Sequence, residues 1–320
     1  MTSMADRPES PPRNSVLLPE AGLRSSQPTE TGQIYLWGHG VDVDPVTAPG
    51  VRGVKVVEIA AGVDGALVLT EDGTLCVVDA SADASQAQLE DDGKRGDGDG
   101  DVGGPLRWMC PEALQSIRVV SVACGGGHNV VATDEGRVYA WGRGEEGQLG
   151  LGMGLNSEVP QLVTQLEGRV ITQLACGHAH TAATTSTGDL YCWGRNFEGQ
   201  CGTGSHTKTS DLPRACARVQ LAPKFVAAFL GVYVSRVACG YKFTSCITGQ
   251  GEIWTWGEGG CGQLGVGRVS QKDFPQLAAA TDVTHNRVGF RDVSCGWGHA
   301  VAVSRAGELF VWGFNQFGKP

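Results

Sequence analysis

The chain predicts an all-β fold, a β-propeller built from repeated four-stranded blades, and three observations carry that prediction. Forty-eight of its 320 residues are glycine and only 18% are charged, which suits many short strands joined by tight turns. Cysteine and tryptophan recur at one fixed interval: Cys124 and Trp141, Cys176 and Trp193, Cys239 and Trp256, Cys295 and Trp312 are each seventeen residues apart. Runs such as VVSVACG, HNVVAT and RVYAWG have the apolar patterning of strands, and no helical period separates the copies.

Taken in order, the chain opens with a segment, 1–30, that is expected to be disordered, and residues 31–320 are read as the propeller. The first copy has IYLWGHG at 34–40 but VDVDP where later copies have GQLG. A fainter second copy keeps the interval with Ala61 and Val78, replaces Trp-Gly by Val78-Asp79, and runs into an acidic Gly/Asp-rich insertion at about 81–105. Successive copies are 63, 52, 63 and 56 residues apart, so the variable part is loop. The turn glycines of the copies are Gly73, Gly136, Gly188, Gly251 and Gly307, the first four after an acidic or polar residue and the last after Ala306, where a tight hairpin needs positive φ. A fourth strand is expected after Pro160, Pro213 and Pro275 of EVPQLV, DLPRAC and DFPQLA. Counted from each WG strand there are five recognisable repeats plus the start of a sixth, the pattern of propeller blades.

Charge narrows the partners. The net charge is −9, and Leu89 to Asp101, with six acids and two bases, supplies four of those charges as a solvated run. No basic arm exists for DNA or RNA, so direct nucleic-acid binding is not expected. The most apolar run, Phe225 to Val234, is too short to span a bilayer, so no membrane association is expected. Eleven cysteines without a C-x-x-C pair favour a reducing compartment, cytoplasmic or nuclear.

Three motifs invite a chemical reading, and each has a plainer one. Gly142, Gly144 and Gly147 match G-x-G-x-x-G, but QLGLGMG cannot begin the helix that would hold a pyrophosphate, and Gly257, Gly259 and Gly262 repeat the spacing. The motif follows the repeat, and no cofactor is expected. Cys124 with His128, Cys176 with His180, and Cys295 with His299 are spaced four apart, yet two ligands from one blade do not close a zinc site. They are read, with Cys239, as buried packing residues and hydrogen-bonding imidazoles. Trp141, Trp193, Trp256 and Trp312, with Trp37, share one strand position and are read as core. No serine, histidine and carboxylate grouping stands out, so an enzyme acting through side chains is not expected.

The repeated xACGxxH, DG, VYxWG and GQLG elements resemble the regulator of chromosome condensation repeat family, a β-propeller usually of seven blades. The resemblance covers roughly residues 31–320. It implies two functional classes: a non-catalytic protein interaction platform, which is favoured, or guanine nucleotide exchange on a small Ran-like GTPase. For exchange, the long insertions Ser81 to Pro105 and Arg214 to Val234 are the candidate wedges. The family also includes a plant ultraviolet-B photoreceptor that relies on tryptophans in GWRHT repeats. The matching turns here, GGGH, GHAH, GYKF and GWGH, hold only Trp297, so light sensing is not expected. Partner contacts are expected at variable turn positions: Arg143, Glu145 and Glu146, then Arg195, Asn196, Phe197 and Glu198, and in another class of turn Tyr241, Lys242 and Trp297.

Overall fold

A computed structural model describes residues 35–36, 46–47, 55–63, 65–79, 107–204, 218–267, 270–278 and 288–315. These lie within the unit Gly32–Pro320. The segment 1–30 and the insertion 81–105 lie outside the described residues.

The described chain is all β, with five successive antiparallel sheets and three short 3-10 turns, and among the described residues there is no α-helix. A short ladder, β1 (Tyr35–Leu36) with β2 (Val46–Thr47), comes first. The first blade holds β3 (Val56–Ala61), β4 (Gly65–Thr70), β5 (Leu75–Asp79) and β6 (Arg107–Met109). The second holds β7 (Val119–Cys124), β8 (His128–Thr133), β9 (Val138–Gly142) and β10 (Ser157–Leu162). The third holds β11 (Ile171–Cys176), β12 (His180–Thr185), β13 (Leu190–Arg195) and β14 (Val219–Phe225). The fourth holds β15 (Val234–Cys239), β16 (Phe243–Thr248), β17 (Ile253–Gly257) and β18 (Lys272–Leu277). The fifth has three described strands, β19 (Phe290–Cys295), β20 (His299–Ser304) and β21 (Leu309–Gly313).

Register explains the seventeen-residue interval. Cys124 lies opposite Asn129, and Asn129 opposite Trp141, so cysteine and tryptophan stand in one row across three strands. The same row runs Cys176–Thr181–Trp193, Cys239–Thr244–Trp256 and Cys295–Ala300–Trp312. Two fixed hairpins set the count. Each hairpin turns on its glycine, as at Gly136 (φ +79°), whose N–H bonds the Thr133 carbonyl at 2.9 Å while Thr133 pairs with Arg137.

The core is a set of seams between neighbouring sheets. Ala123, Val130 and Ala140 of the second blade pack with Ile171, Ala183 and Trp193 of the third, and Ala182, Leu190 and Cys192 pack with Val237, Cys246 and Trp256 of the fourth. Strands β12 and β16 face seams on both sides and are buried throughout. The 3-10 turns Glu112–Leu114, Thr164–Leu166 and Ala227–Phe229 each drop one large side chain, Leu114, Leu166 or Phe229, into a seam.

The fourth strand differs from expectation. It runs through the prolines instead of following them: Pro160 lies inside β10 and Pro275 inside β18, each at a break in register. In the third blade the strand carries Pro223, also at a register break, while Pro213 lies outside the described residues. An outermost strand can bulge around a residue that lacks an N–H, so the proline is tolerated within it.

Candidate functional site

The repeat signature builds the pins that close the seams. His128 Nε2 meets Thr181 Oγ1 at 2.9 Å, and Thr181 Oγ1 donates to the Gln148 carbonyl at 2.9 Å, which also accepts from Trp193 Nε1 at 2.9 Å. One blade on, His180 meets Thr244 at 2.9 Å, and the Gln200 carbonyl accepts from Thr244 at 2.7 Å and from Trp256 Nε1 at 2.8 Å. A hydroxyl has one proton, and here it goes to the carbonyl, so each imidazole must donate through Nε2–H. Burial lowers both histidines to about 3, so both are neutral at ordinary pH. In the next seam Phe243 and Ala300 replace the pair and pack with Leu264.

The cysteines also pack across seams. Cys239 Sγ donates to the Ala175 carbonyl at 3.6 Å and Cys295 Sγ to Ser245 Oγ at 3.5 Å. Burial pushes the Cys124 and Cys295 thiols up to about 12, so they stay protonated at neutral pH. Among the described residues no cluster of three or more metal-ligating side chains occurs. Beyond Gly142, the chain makes two consecutive turns, Gly147 N–H to the Gly144 carbonyl at 2.8 Å and Gly150 N–H to the Gly147 carbonyl at 3.0 Å, where a phosphate-binding motif would have a helix.

A second set of residues faces outward. The turns after the innermost strands are stitched in series: Val63 N–H bonds the Gly125 carbonyl at 3.2 Å, Gly126 N–H the His178 carbonyl at 2.9 Å, His178 N–H the Tyr241 carbonyl at 3.2 Å, and Tyr241 N–H the Gly296 carbonyl at 3.3 Å. One residue per turn projects from this line, and successive rings meet. His178 lies 4.5 Å from Tyr241, Tyr241 5.7 Å from Trp297, and Trp297 5.6 Å from Phe314, centroid to centroid. Trp297 is 60% exposed.

Beside the aromatic row runs a charged network. Arg195 bonds Glu146 at 2.7 Å and Glu198 at 3.4 Å, and Lys242 reaches Glu198 at 3.4 Å. Burial pushes the Glu198 carboxyl up, but Arg195, Lys242 and Gln200 outweigh it and hold the group below its usual range. Lys242 joins the two features, with Nζ 5.5 Å from the Tyr241 ring centre. Arg195 also stacks over Phe197 at 4.5 Å, and Arg218 approaches the same ring at 5.3 Å.

The expected contact residues therefore divide. Glu146, Arg195, Phe197, Glu198, Tyr241, Lys242 and Trp297 come together on this face. Arg143 and Glu145 are exposed in the turn leading to it, with Glu145 accepting from Asn156 at 3.3 Å. Asn196 is buried, and its Oδ1 accepts from Cys201 N–H at 2.9 Å, so it shapes its own turn. His178 and Phe314 were not expected. Their signal lies in the repeat: His178 occupies the Tyr241 and Trp297 position of the GHAH turn, and Phe314 follows Trp-Gly as Arg143 and Arg195 do. Of the two candidate wedges, Ser81 to Pro105 lies outside the described residues. Arg214 to Val234 is in part not an insertion, because from Val219 on it supplies β14 and the Ala227–Phe229 turn, while 214–217 lie outside the described residues.

The family profile described as RCC1-like domain matches residues 89–319. The chain is 32% identical to the ultraviolet-B receptor UVR8 of Arabidopsis thaliana, over 98% of this chain and 68% of that protein. It is 30% identical to the E3 ubiquitin-protein ligase HERC2 of Homo sapiens over 93% of this chain, but spans only 6% of that protein. The crystal structure of yeast RCC1 (Prp20) bound to Kap60 superposes with a TM-score of 0.64 at 22% identity, over 84% of this chain and 60% of that one, a likeness of fold.

Proposed function

The chain belongs to the RCC1-like domain family, and from that premise we propose that it is a non-catalytic platform that docks a partner protein on the face bearing Tyr241 and Trp297. The row of four adjoining rings, two pairs tilted and the last edge-on, carries the reading. Adjoining aromatic side chains, Trp297 and Phe314 exposed and His178 and Tyr241 half-buried, beside an arginine-centred charge network, have the composition of an interface hot spot. A stable complex would cover about 800 Å² per partner, enough to take in both features. The yeast relative has been crystallised with the protein Kap60, which supports a protein as the class of ligand. All ten described cysteines are unpaired, which supports a reducing compartment, cytoplasm or nucleus.

Nucleotide exchange would also need no reacting side chain, only tighter binding of the nucleotide-free GTPase. The two readings separate in one assay, the release of labelled GDP from Ran and a panel of small GTPases with and without the protein. The platform reading predicts an unchanged rate. Acceleration of one GTPase by orders of magnitude would replace it with exchange.

A further inference from the structure

The most apolar run of the chain, 225–234, is only partly accounted for by the core. Val226, Phe229 and Val234 are buried in the seam between the third and fourth blades, where Phe229 meets Trp254 and Trp256 at 5.9 and 5.8 Å between ring centres. Leu230, Val232 and Tyr233 are instead 78%, 40% and 53% exposed.

Two other blades carry the same turn with different side chains, so its backbone does not require apolar residues at these places. Leu114, Leu166 and Phe229 are the buried residues of the three 3-10 turns. In each turn the N–H three residues on donates to the carbonyl of that residue: Ile117 to Leu114 at 3.1 Å, Arg169 to Leu166 at 3.1 Å and Val232 to Phe229 at 3.0 Å. Gly168 and Gly231 occupy one place, at φ +79° and +75°. Around this shared backbone Glu167, Arg169 and Val170 stand where the last turn has Leu230, Val232 and Tyr233. The first turn puts Gln115 and Arg118, both exposed, at two of these positions. Three apolar side chains in water, where glutamate and arginine serve the same turn, add nothing to the fold and form a contiguous patch of the kind found at contact surfaces.

The turn lies at the opposite end of its blade from the aromatic row. Tyr233 precedes β15 and Tyr241 follows it, and a six-residue strand spans about 20 Å. Tyr233 is held between two hairpins: its ring lies so close to Gly188 that a Cβ there would strike it, and its carbonyl accepts from Gly249 N–H at 2.7 Å. This end is acidic. The five hairpins 70–74, 133–137, 185–189, 248–252 and 304–308 carry seven acids against Arg137 and Arg305. Lys55 offsets one of the acids by pairing with Glu71, and in the 3-10 turns Glu112 and Glu167 balance Arg118 and Arg169. The surplus disfavours a second copy of the same end and favours a basic partner.

We propose that the turn 230–233 is a second docking surface, which takes a basic segment of a partner protein whose aliphatic side chains cover Leu230, Val232 and Tyr233. It goes beyond the platform reading of the ring-bearing face and stands independently of it.

The test is a selection of randomised linear peptides displayed on phage against the full chain, with counter-selection on the turn swap Leu230→Glu, Val232→Arg and Tyr233→Val. The swap copies the side chains at 167–170 onto the same backbone, so an unchanged unfolding midpoint is expected. If the triple swap fails to fold, Leu230→Gln alone, the residue of the first turn, serves in its place. Peptides that need the turn are expected to interleave lysine or arginine with leucine, isoleucine or valine. Their affinity should fall about tenfold or more on the swap, and fall again at high salt. Recovery of no peptide that distinguishes the two proteins would overturn the proposal, as would turn-dependent peptides that are acidic or uncharged. Dimerisation of the wild type that the swap removes, read by sedimentation velocity, would assign the turn to a second copy and overturn it. Swap-sensitive binding to phosphatidylcholine vesicles would assign it to a lipid surface, with the same consequence. Trp297→Ala should leave the selected peptides bound as before, so failure here is distinguishable from failure of the platform reading.

Discussion

At the scale of residues, the His–Thr pin and its replacement show why polar groups in a seam change together. His128 pairs with Thr181 and His180 with Thr244, whereas the next seam has Phe243 and Ala300. Losing one partner alone would strand a buried donor, and losing both leaves an apolar contact. Thr244→Ala is therefore expected to cost about 1–3 kcal/mol, and adding His180→Phe should recover much of it, as urea denaturation of the single and double variants would show. The same pins set a pH dependence. The unfolded chain binds protons at these histidines below about 6.5, while the native chain resists until about 3, so stability is level above that window and falls through it as pH drops. Each histidine contributes a slope of about 1.4 kcal/mol per pH unit within it. The double variant removes one histidine, so its stability should fall less steeply than the wild type's between pH 6 and pH 4, by about half of the histidine share.

At the scale of elements, the strands and hairpins were legible because the three-strand row forces a constant interval between Cys124 and Trp141 and its copies. The fourth strand was less legible. Val219–Phe225 contains Pro223 and Lys224 and bulges at the sheet edge, so it shows neither alternation nor a continuous apolar run. The aromatic row was half legible: Tyr241 and Trp297 stand out by type, whereas His178 and Phe314 emerge only when equivalent turn positions are read down the repeats. Hairpin glycines give a test at this scale. Gly307 (φ +90°) has open space where a Cβ would go, so Gly307→Ala should cost only the backbone strain, about 1 kcal/mol. Gly136→Ala should cost more, because its Cβ would lie 2.8 Å from the Arg169 carbonyl oxygen in the next blade. Thermal melts of the two variants would rank them.

At the scale of the whole molecule, each blade is stabilised by its neighbours through seams, and the side chains left over at one end of the blades are free to bind. The repeat makes the scaffold and the variable turn positions make the face. The central claim is that the His178–Tyr241–Trp297–Phe314 row is where a protein partner docks. The measurement that tests it most directly is quantitative capture of cellular proteins on immobilised wild type and on Trp297→Ala, with both confirmed folded by circular dichroism. The account predicts that a saturable partner held by the wild type is lost or strongly reduced on Trp297→Ala while the unfolding midpoint stays the same. Equal capture by the two proteins would contradict it.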